Sequence, residues 1–180
     1  ALAAAAARRG ARVRLISGPT ALPVPAGVER LEVTSAAEMA AAALAEFEAC
    51  TLAICAAAVA DYRPAAPQPQ KIQKTAERLQ LELVRNPDIL AELGRRKTRQ
   101  RLVGFAAETD SAAARERARG KRAAKHADLM VLNDVLQPGI GFDAADNAVT
   151  LITAAAERDL PRASKAVIAD AILDAVLALP

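Results

Sequence analysis

Leu52-Ala53-Ile54-Cys55-Ala56-Ala57-Ala58, closed by Val59-Ala60-Asp61-Tyr62-Arg63-Pro64, is the stretch that decides the fold. Leu52 to Ala58 is a near-continuous apolar run, the signature of a strand buried on both faces, and such strands belong to parallel sheets covered by helices. Just upstream, Ser35-Ala36-Ala37-Glu38 is a capping box that opens a helix running to about Glu48.

Further toward the N-terminus, Val28 to Val33 reads as a strand with the alternation of an edge. Before it lies a loop of chain breakers, Gly18-Pro19-Thr20 through Pro23, Pro25 and Gly27. Val13 to Ile16 is a strand, and Leu2 to Arg9 a helix with basic residues in its last turn and Gly10 as its C′ residue. A helix followed by a strand is the second half of a βαβ unit. The sheet is therefore expected to lack its first strand and the strand-to-helix loop, and the chain to be a piece of something longer.

Downstream of Pro64 a polar, proline-rich excursion runs to Arg78 and holds Lys71 and Lys74. It returns as Leu79-Gln80-Leu81-Glu82-Leu83-Val84, a strand alternation with one wet face. Asn86-Pro87-Asp88 predicts a helix start, with Asn86 as N-cap, Pro87 in the first helical position and Asp88 in the first turn. Leu102 to Phe105 is a buried strand. A charged helix spans about Ser111 to His126, with a kink near Gly120, and Leu129 to Leu132 is a strand ending at Asn133-Asp134. Gly139 to Phe142 is a loop, Ala148 to Ile152 closes the sheet, and Ser164 to Leu179 is an amphipathic helix. The alternation gives one α/β domain over residues 1–180, a doubly wound, mostly parallel, Rossmann-like sheet. Such sheets bind ligands beyond the carboxyl ends of their strands, which directs attention to Gly18, Ala57 to Asp61, Phe105 to Thr109 and Asn133-Asp134.

Composition narrows the function. Charged residues are 25% of the chain, aromatics 2%, with no Trp, so the core must be built from Ala, Leu, Val and Ile. A net charge of +3 is too mild to make nucleic acid or an anionic membrane the main partner. Cys50 and Cys55 read as buried free thiols, and His126, the only histidine, lies far from both. No apolar stretch reaches the roughly 18 residues that a membrane span needs, and a cytoplasmic protein is expected. Neither a Walker A pattern, a G-x-S-x-G elbow nor a G-x-G-x-x-G after a strand occurs.

Four places could carry chemistry. In Ala56-Ala57-Ala58, small residues after a buried strand let a base or phosphate approach the backbone, and Asp61 could receive a ribose hydroxyl or a metal-bound water; alternatively the alanines pack a tight turn and Asp61 caps a helix. Lys71 and Lys74 in the excursion suit a triphosphate under a closing lid, or a solvated hairpin. The helix start at Asn86 to Leu90 offers free N–H groups to an anion, or is simply capped. Lys121 and Lys125 share one helix face among Arg115, Arg117, Arg119 and Arg122, the pattern of a cation cluster or of a solvated face. The run Arg95 to Arg101 reads as a solvated helix end and turn.

Order and spacing of these motifs together resemble the bacterial phosphopantothenoylcysteine synthetases of coenzyme A biosynthesis. The resemblance is carried by Ala57 to Arg63, Lys71 to Lys74, Asn86 to Ile89, Gly104 to Thr109, Lys121 to Lys125 and Asn133 to Val135, with Ser17-Gly18-Pro19 in support. It implies a CTP-dependent ligase that joins 4′-phosphopantothenate to L-cysteine through an acyl-cytidylate, with Mg²⁺. It also implies a homodimer, commonly fused in bacteria behind a flavin-dependent decarboxylase domain. Carried over by residue, Ala56, Ala57, Ala58, Asp61, Pro87, Asp88, Ile89, Leu90, Phe105, Lys121 and Lys125 would surround CTP, and Lys71 would act at the reacting phosphate and carboxylate. Which groups ligate the metal is left open. Two departures stand out: the family's Asn- and Gly-containing loop before the first helix is absent, and Gln73 replaces a lysine. A non-catalytic nucleotide-binding or dimerisation module derived from this fold is the alternative, and a dinucleotide-dependent oxidoreductase lacks its fingerprint.

Overall fold

The structure is a computed structural model, which describes residues 1–66, 70–72, 77–108, 111–134 and 144–180. Its centre is a sheet of β3 (Leu52–Cys55), β6 (Arg101–Glu108), β7 (Leu129–Asp134), β8 (Asp146–Ile152) and β9 (Glu157–Ser164), in that order. The pairs β3–β6 and β6–β7 are parallel, and β7–β8 and β8–β9 antiparallel. Helices cover both faces, so the fold is α/β and doubly wound with a mostly parallel central sheet, as expected.

Strand alternation sorts the side chains between the two faces. On one face Leu102, Met130, Leu132 and Ile152 pack with Phe47 of α2 (Ala36–Phe47), Leu90 and Leu93 of α3 (Ile89–Arg96), and Ala114 and Ala118 of α4 (Ser111–Ala124). On the other, Val103, Leu129, Val131, Val149 and Leu151 meet Ile168, Ile172 and Val176 of α5 (Lys165–Leu177). α1 (Leu2–Arg8) joins this second layer, where Ala5 packs with Ala169 and Leu173. The two helices are also tied by charge: Arg8 and Arg9 bond Asp170, and Arg9 pairs with Asp174 at 2.7 Å. No Trp is available to fill space, so closeness does: a Cβ on Gly104 would sit 2.5 Å from Leu90 Cδ2, and one on Gly94 2.0 Å from the Lys125 carbonyl oxygen.

β1 (Val13–Ser17) and β2 (Val28–Glu32) pair in parallel with each other but not with β3, so the sheet is in two pieces. Both pieces lie between the same helices. Leu2 and Ala6 of α1 pack against the same buried cluster as Leu52 and Ile54, while Leu44 and Phe47 of α2 pack where Ala53 and Cys55 do. This changes the reading of Leu52 to Ala58: the strand stops at Cys55 and is half-buried, because among the described residues only β6 pairs with it.

Other departures have local causes. β9 was not expected from Glu157-Arg158-Asp159-Leu160-Pro161-Arg162; it is an outer strand whose charges face solvent or α4, where a proline is tolerated. α4 is α-helical through Gly120. It ends at Ala124, and two residues on His126 has a φ of 51°, off the helical path. Its arginines are not merely a solvated face: Arg115 and Arg119 both reach Glu157, and Arg115 also bonds Asp159. In the Arg95 to Arg101 run, Arg101 donates to the Val176, Leu177 and Leu179 carbonyls and so satisfies the end of α5. Lys97 is bound to Asp128 at 2.7 Å, and the same carboxylate accepts the Leu102 N–H at 2.7 Å.

The excursion forms an arm. β4 (Tyr62–Pro64) pairs antiparallel with β5 (Leu83–Arg85), and the Ala65 N–H donates to the Glu82 carbonyl. The expected strand over Leu79 to Val84 is thus reduced to its last turns of chain, and Leu79, Leu81 and Leu83 are 64%, 59% and 54% exposed. Lys74, Thr109, Val135 and the loop from Gly139 to Phe142 fall outside the described residues.

Candidate functional site

The site is built at the carboxyl ends of β3 and of the β4–β5 arm. β3 ends at Cys55, and Ala56, Ala57 and Ala58 follow as exposed loop residues, leaving open backbone for a ligand to approach. The loop ends in Asp61, exposed, whose carbonyl accepts the Asn86 N–H at 2.8 Å. One residue earlier, the Ala60 carbonyl accepts from the Asn86 side-chain amide at 2.8 Å. The loop after β3 is therefore fastened to the segment that starts α3.

The start of α3 differs from the sequence reading. The N-cap is Asp88, not Asn86, and the helix begins at Ile89, so Pro87 precedes the cap. Asp88 Oδ1 accepts the Ala91 N–H at 3.0 Å, and Oδ2 pairs with Lys125 Nζ at 2.9 Å. Partial burial pushes the Asp88 carboxyl up, but the Ala91 N–H and the Lys125 ammonium outweigh it, and its pKa lies below the ordinary value. Lys125 leaves the end of α4 and runs alongside α3, with its ammonium delivered to the top of that helix. Beneath the pair is the Cys55 thiol, pushed up to about 11, first by burial and then by the Asp88 charge. A thiol that seldom ionises is not a nucleophile at neutral pH, so Cys55 serves as small packing at the floor.

Of the candidate residues, the structure brings together Ala56 to Ala58, Asp61, Pro87, Asp88 and Lys125. Ile89 is half-buried and the Leu90 side chain is in the core against Gly104, so both offer a ligand only their backbone at the helix start. Phe105 packs on the opposite face of the sheet, with the layer of α5, and is not directed to the Asp88–Lys125 pair. Lys121 is exposed one turn before Lys125 on α4. Lys71 is exposed on the arm and has no hydrogen bond or ion pair with another described residue. Sequence reasoning missed the work of Asn86 and Arg63. Arg63 donates to the Arg85 carbonyl at 2.8 Å and to Asn86 Oδ1 at 3.0 Å, and Arg85 lies over the Tyr62 ring at 6.0 Å. Only the pairing of β4 with β5 could have revealed it.

Chemically, among the described residues the arrangement offers exposed backbone, a helix N-terminus, the Lys125 ammonium and the Asp88 carboxylate, with no acid–base dyad. That set suits binding and orienting a polyanion rather than proton transfer. No group of three or more His, Cys, Asp or Glu able to hold a metal occurs among the described residues. Asp61 closes the exposed loop and Asp88, two residues after Asn86, caps α3, and a cation carried by phosphates needs only one or two such carboxylates. Also among the described residues, no helix is long and apolar enough to cross a membrane.

Residues 1–179 match the family of the DNA/pantothenate metabolism flavoprotein C-terminal domain. The chain is 44% identical over 181 residues to the coenzyme A biosynthesis bifunctional protein CoaBC of Escherichia coli, covering 98% of this chain and 44% of that protein. It thus spans less than half the length of this relative. A crystal structure of the C-terminal domain of CoaBC superposes with a TM-score of 0.80 at 35% identity, covering 97% of this chain and 78% of the other. The fold is also shared, at TM-score 0.61 and 18% identity over 84% of this chain and 52% of the other, with a Cab2 H337A mutant in complex with phosphopantothenate-cysteine.

Proposed function

The chain belongs to the family of the DNA/pantothenate metabolism flavoprotein C-terminal domain, and from that premise we propose that it is the ligase part of a bifunctional coenzyme A biosynthesis protein, joining 4′-phosphopantothenate to L-cysteine at the expense of CTP. A carboxylate oxygen of phosphopantothenate attacks the α-phosphorus of CTP, and pyrophosphate leaves. The cysteine amine then attacks the acyl carbon of the resulting acyl-cytidylate, and CMP departs with the electron pair of the broken C–O bond.

The observation that carries this reading is the fastening of the Ala56 to Asp61 loop to the start of α3, where Asp88 holds Lys125 at 2.9 Å. It gathers motifs from three distant parts of the chain at the carboxyl ends of the strands, where an α/β sheet binds ligands. Backbone of Ala56 to Ala58 would receive the base and ribose, with Asp61 at the ribose. The α3 N-terminus with Lys125 and Lys121 would hold the phosphates. Lys71, at the free end of the arm, would close over the reacting phosphorus, where a mobile ammonium is worth most once water is excluded. Mg²⁺ would supply charge neutralisation on the triphosphate, held mainly by phosphate oxygens with Asp61 within reach of its waters. The remaining expectations belong to the same proposal: a cytoplasmic homodimer, with the exposed leucines of the arm as surface for a contact, fused to a flavin-dependent decarboxylase.

The test is pyrophosphate release from CTP, dependent on both phosphopantothenate and cysteine, by the protein carrying this chain. Loss of at least about a hundredfold in kcat on Lys71→Ala, with CTP binding retained, is the expected result. CTP binding without any release of pyrophosphate would turn the assignment to a non-catalytic nucleotide-binding module.

A further inference from the structure

We propose that Asn86 is a positioning residue that sets the separation between the loop after β3 and the start of α3. The inference rests on the nucleotide reading above and deepens it. Four hydrogen bonds meet at this one residue or at its guanidinium partner. The Asn86 amide nitrogen donates to the Ala60 carbonyl at 2.8 Å, its amide oxygen accepts from Arg63 at 3.0 Å, and its backbone N–H donates to the Asp61 carbonyl at 2.8 Å. The same Arg63 nitrogen donates to the Arg85 carbonyl at 2.8 Å. Asn86 thus closes the base of the arm while tying Ala60 and Asp61 to Pro87 and Asp88.

Its chemistry fits this place and few others do. A carboxamide is donor and acceptor on one short side chain, so it can bond a carbonyl and a guanidinium at once. An aspartate would keep the Arg63 contact but turn an anionic oxygen toward the Ala60 carbonyl, and an alanine would lose both bonds. In either variant the backbone bond to Asp61 persists, so the loop is loosened rather than detached. Asn86 belongs to none of the buried clusters that hold the sheet and helices together. Removing its side chain therefore disturbs the geometry of the loop and leaves the cores intact. A shift of about 1 Å in a positioning group is enough to cost on the order of a hundredfold in efficiency.

The experiment compares wild type with Asn86→Ala and Asn86→Asp in two readouts. In amide hydrogen exchange, the Val59 to Tyr62 segment of both variants exchanges at least about tenfold faster, while β6 and β7 keep wild-type protection. In steady-state kinetics with CTP, KM for the nucleotide rises about tenfold or more, while KM for cysteine and kcat at saturation stay within about twofold. Unchanged exchange in the loop overturns the inference, as does slowed turnover with CTP KM unaltered. Faster exchange spread over β6 and β7 also overturns it, since that marks a general structural role. A wild-type protein indifferent to CTP would instead count against the assigned nucleotide, and the exchange result still decides the role of Asn86.

Discussion

The strands β6 and β7 and the strands β4 and β5 are hydrogen-bonded pairs of one chain, held by opposite means. In the first pair Leu102, Val103, Leu129 and Val131 are fully buried, and helices close both faces. In the second, Leu83 and Tyr62 are at least half exposed, as are Leu79 and Leu81 in the chain leading into β5. Register there depends on Arg63, Arg85 and Asn86. A two-stranded ribbon with a bare apolar face is marginal in water, so its polar contacts at the base matter more than its ladder. The difference shows where each task resides. The sheet supplies stability and fixed strand ends, while the described residues of the arm bury little and rely on a few polar contacts at its base.

Changes that break the contrast can be ranked. Leu129→Ala, in the middle of the sheet, is expected to cost about 2–5 kcal/mol in urea unfolding; a cost no larger than that of an arm leucine would erase the distinction. Next comes Asp128→Ala, which strands the Leu102 N–H and the Lys97 ammonium at the edge of the same core. It should cost about 1–3 kcal/mol by the same measurement. Ser35→Ala removes the oxygen that caps α2 through the Glu38 N–H, and about 1 kcal/mol should be lost, with α2 fraying first in hydrogen exchange.

Asp88 sharpens the comparison at the junction of sheet and arm. Its carboxyl is depressed in the folded protein, so its contribution is complete above the ordinary aspartate range, near 4, and fades as pH falls through the lower folded value. Asp88→Asn keeps a cap for α3 and drops the Lys125 pair. The variant's stability, followed by thermal melts between about pH 5 and pH 2, should fall less steeply with acid than that of wild type. An equal slope would remove Asp88 from the acid response. The smallest effect is expected of Leu81→Ser on the exposed face of the arm, within about 0.5 kcal/mol in the isolated chain. If the arm forms a dimer contact, the same change lowers self-association in sedimentation without a matching loss of fold.

The layered α/β class was legible because local signals agreed with one another: the Ser35 capping box, the helix start at Ser164 and the apolar runs at Leu102 and Leu129 each fall where their elements begin. The capping box itself is extended by one residue, since Glu38 also accepts from the Thr34 N–H and hydroxyl. β9 was hidden because an outer strand with one charged face has no apolar period to show. Cys55 was expected to lie inside a strand buried on both faces, yet it ends a half-buried one, because burial depends on a neighbouring strand and not on the residue. In the site, Asp88 and Lys125 were recognisable one by one. Their pairing was not, since 37 residues separate the two positions and the packing of α3 against α4, with Gly94 close to the Lys125 carbonyl, brings them together.

What the sequence determined by itself was local: where helices start, which runs must be covered, and which motifs resemble those of a ligase family. These follow from hydrogen-bond capping and hydrophobic period, which act within a few residues. The tertiary structure decided which polar groups meet. It moved the cap of α3 from Asn86 to Asp88, freed Asn86 to bind the loop after β3, and sent Arg101 to the end of α5. It also left the three leucines of an alternating run in water, two of them outside any strand. A polar side chain bonds whatever partner the packing of distant elements delivers, and that delivery is fixed only when the layers close.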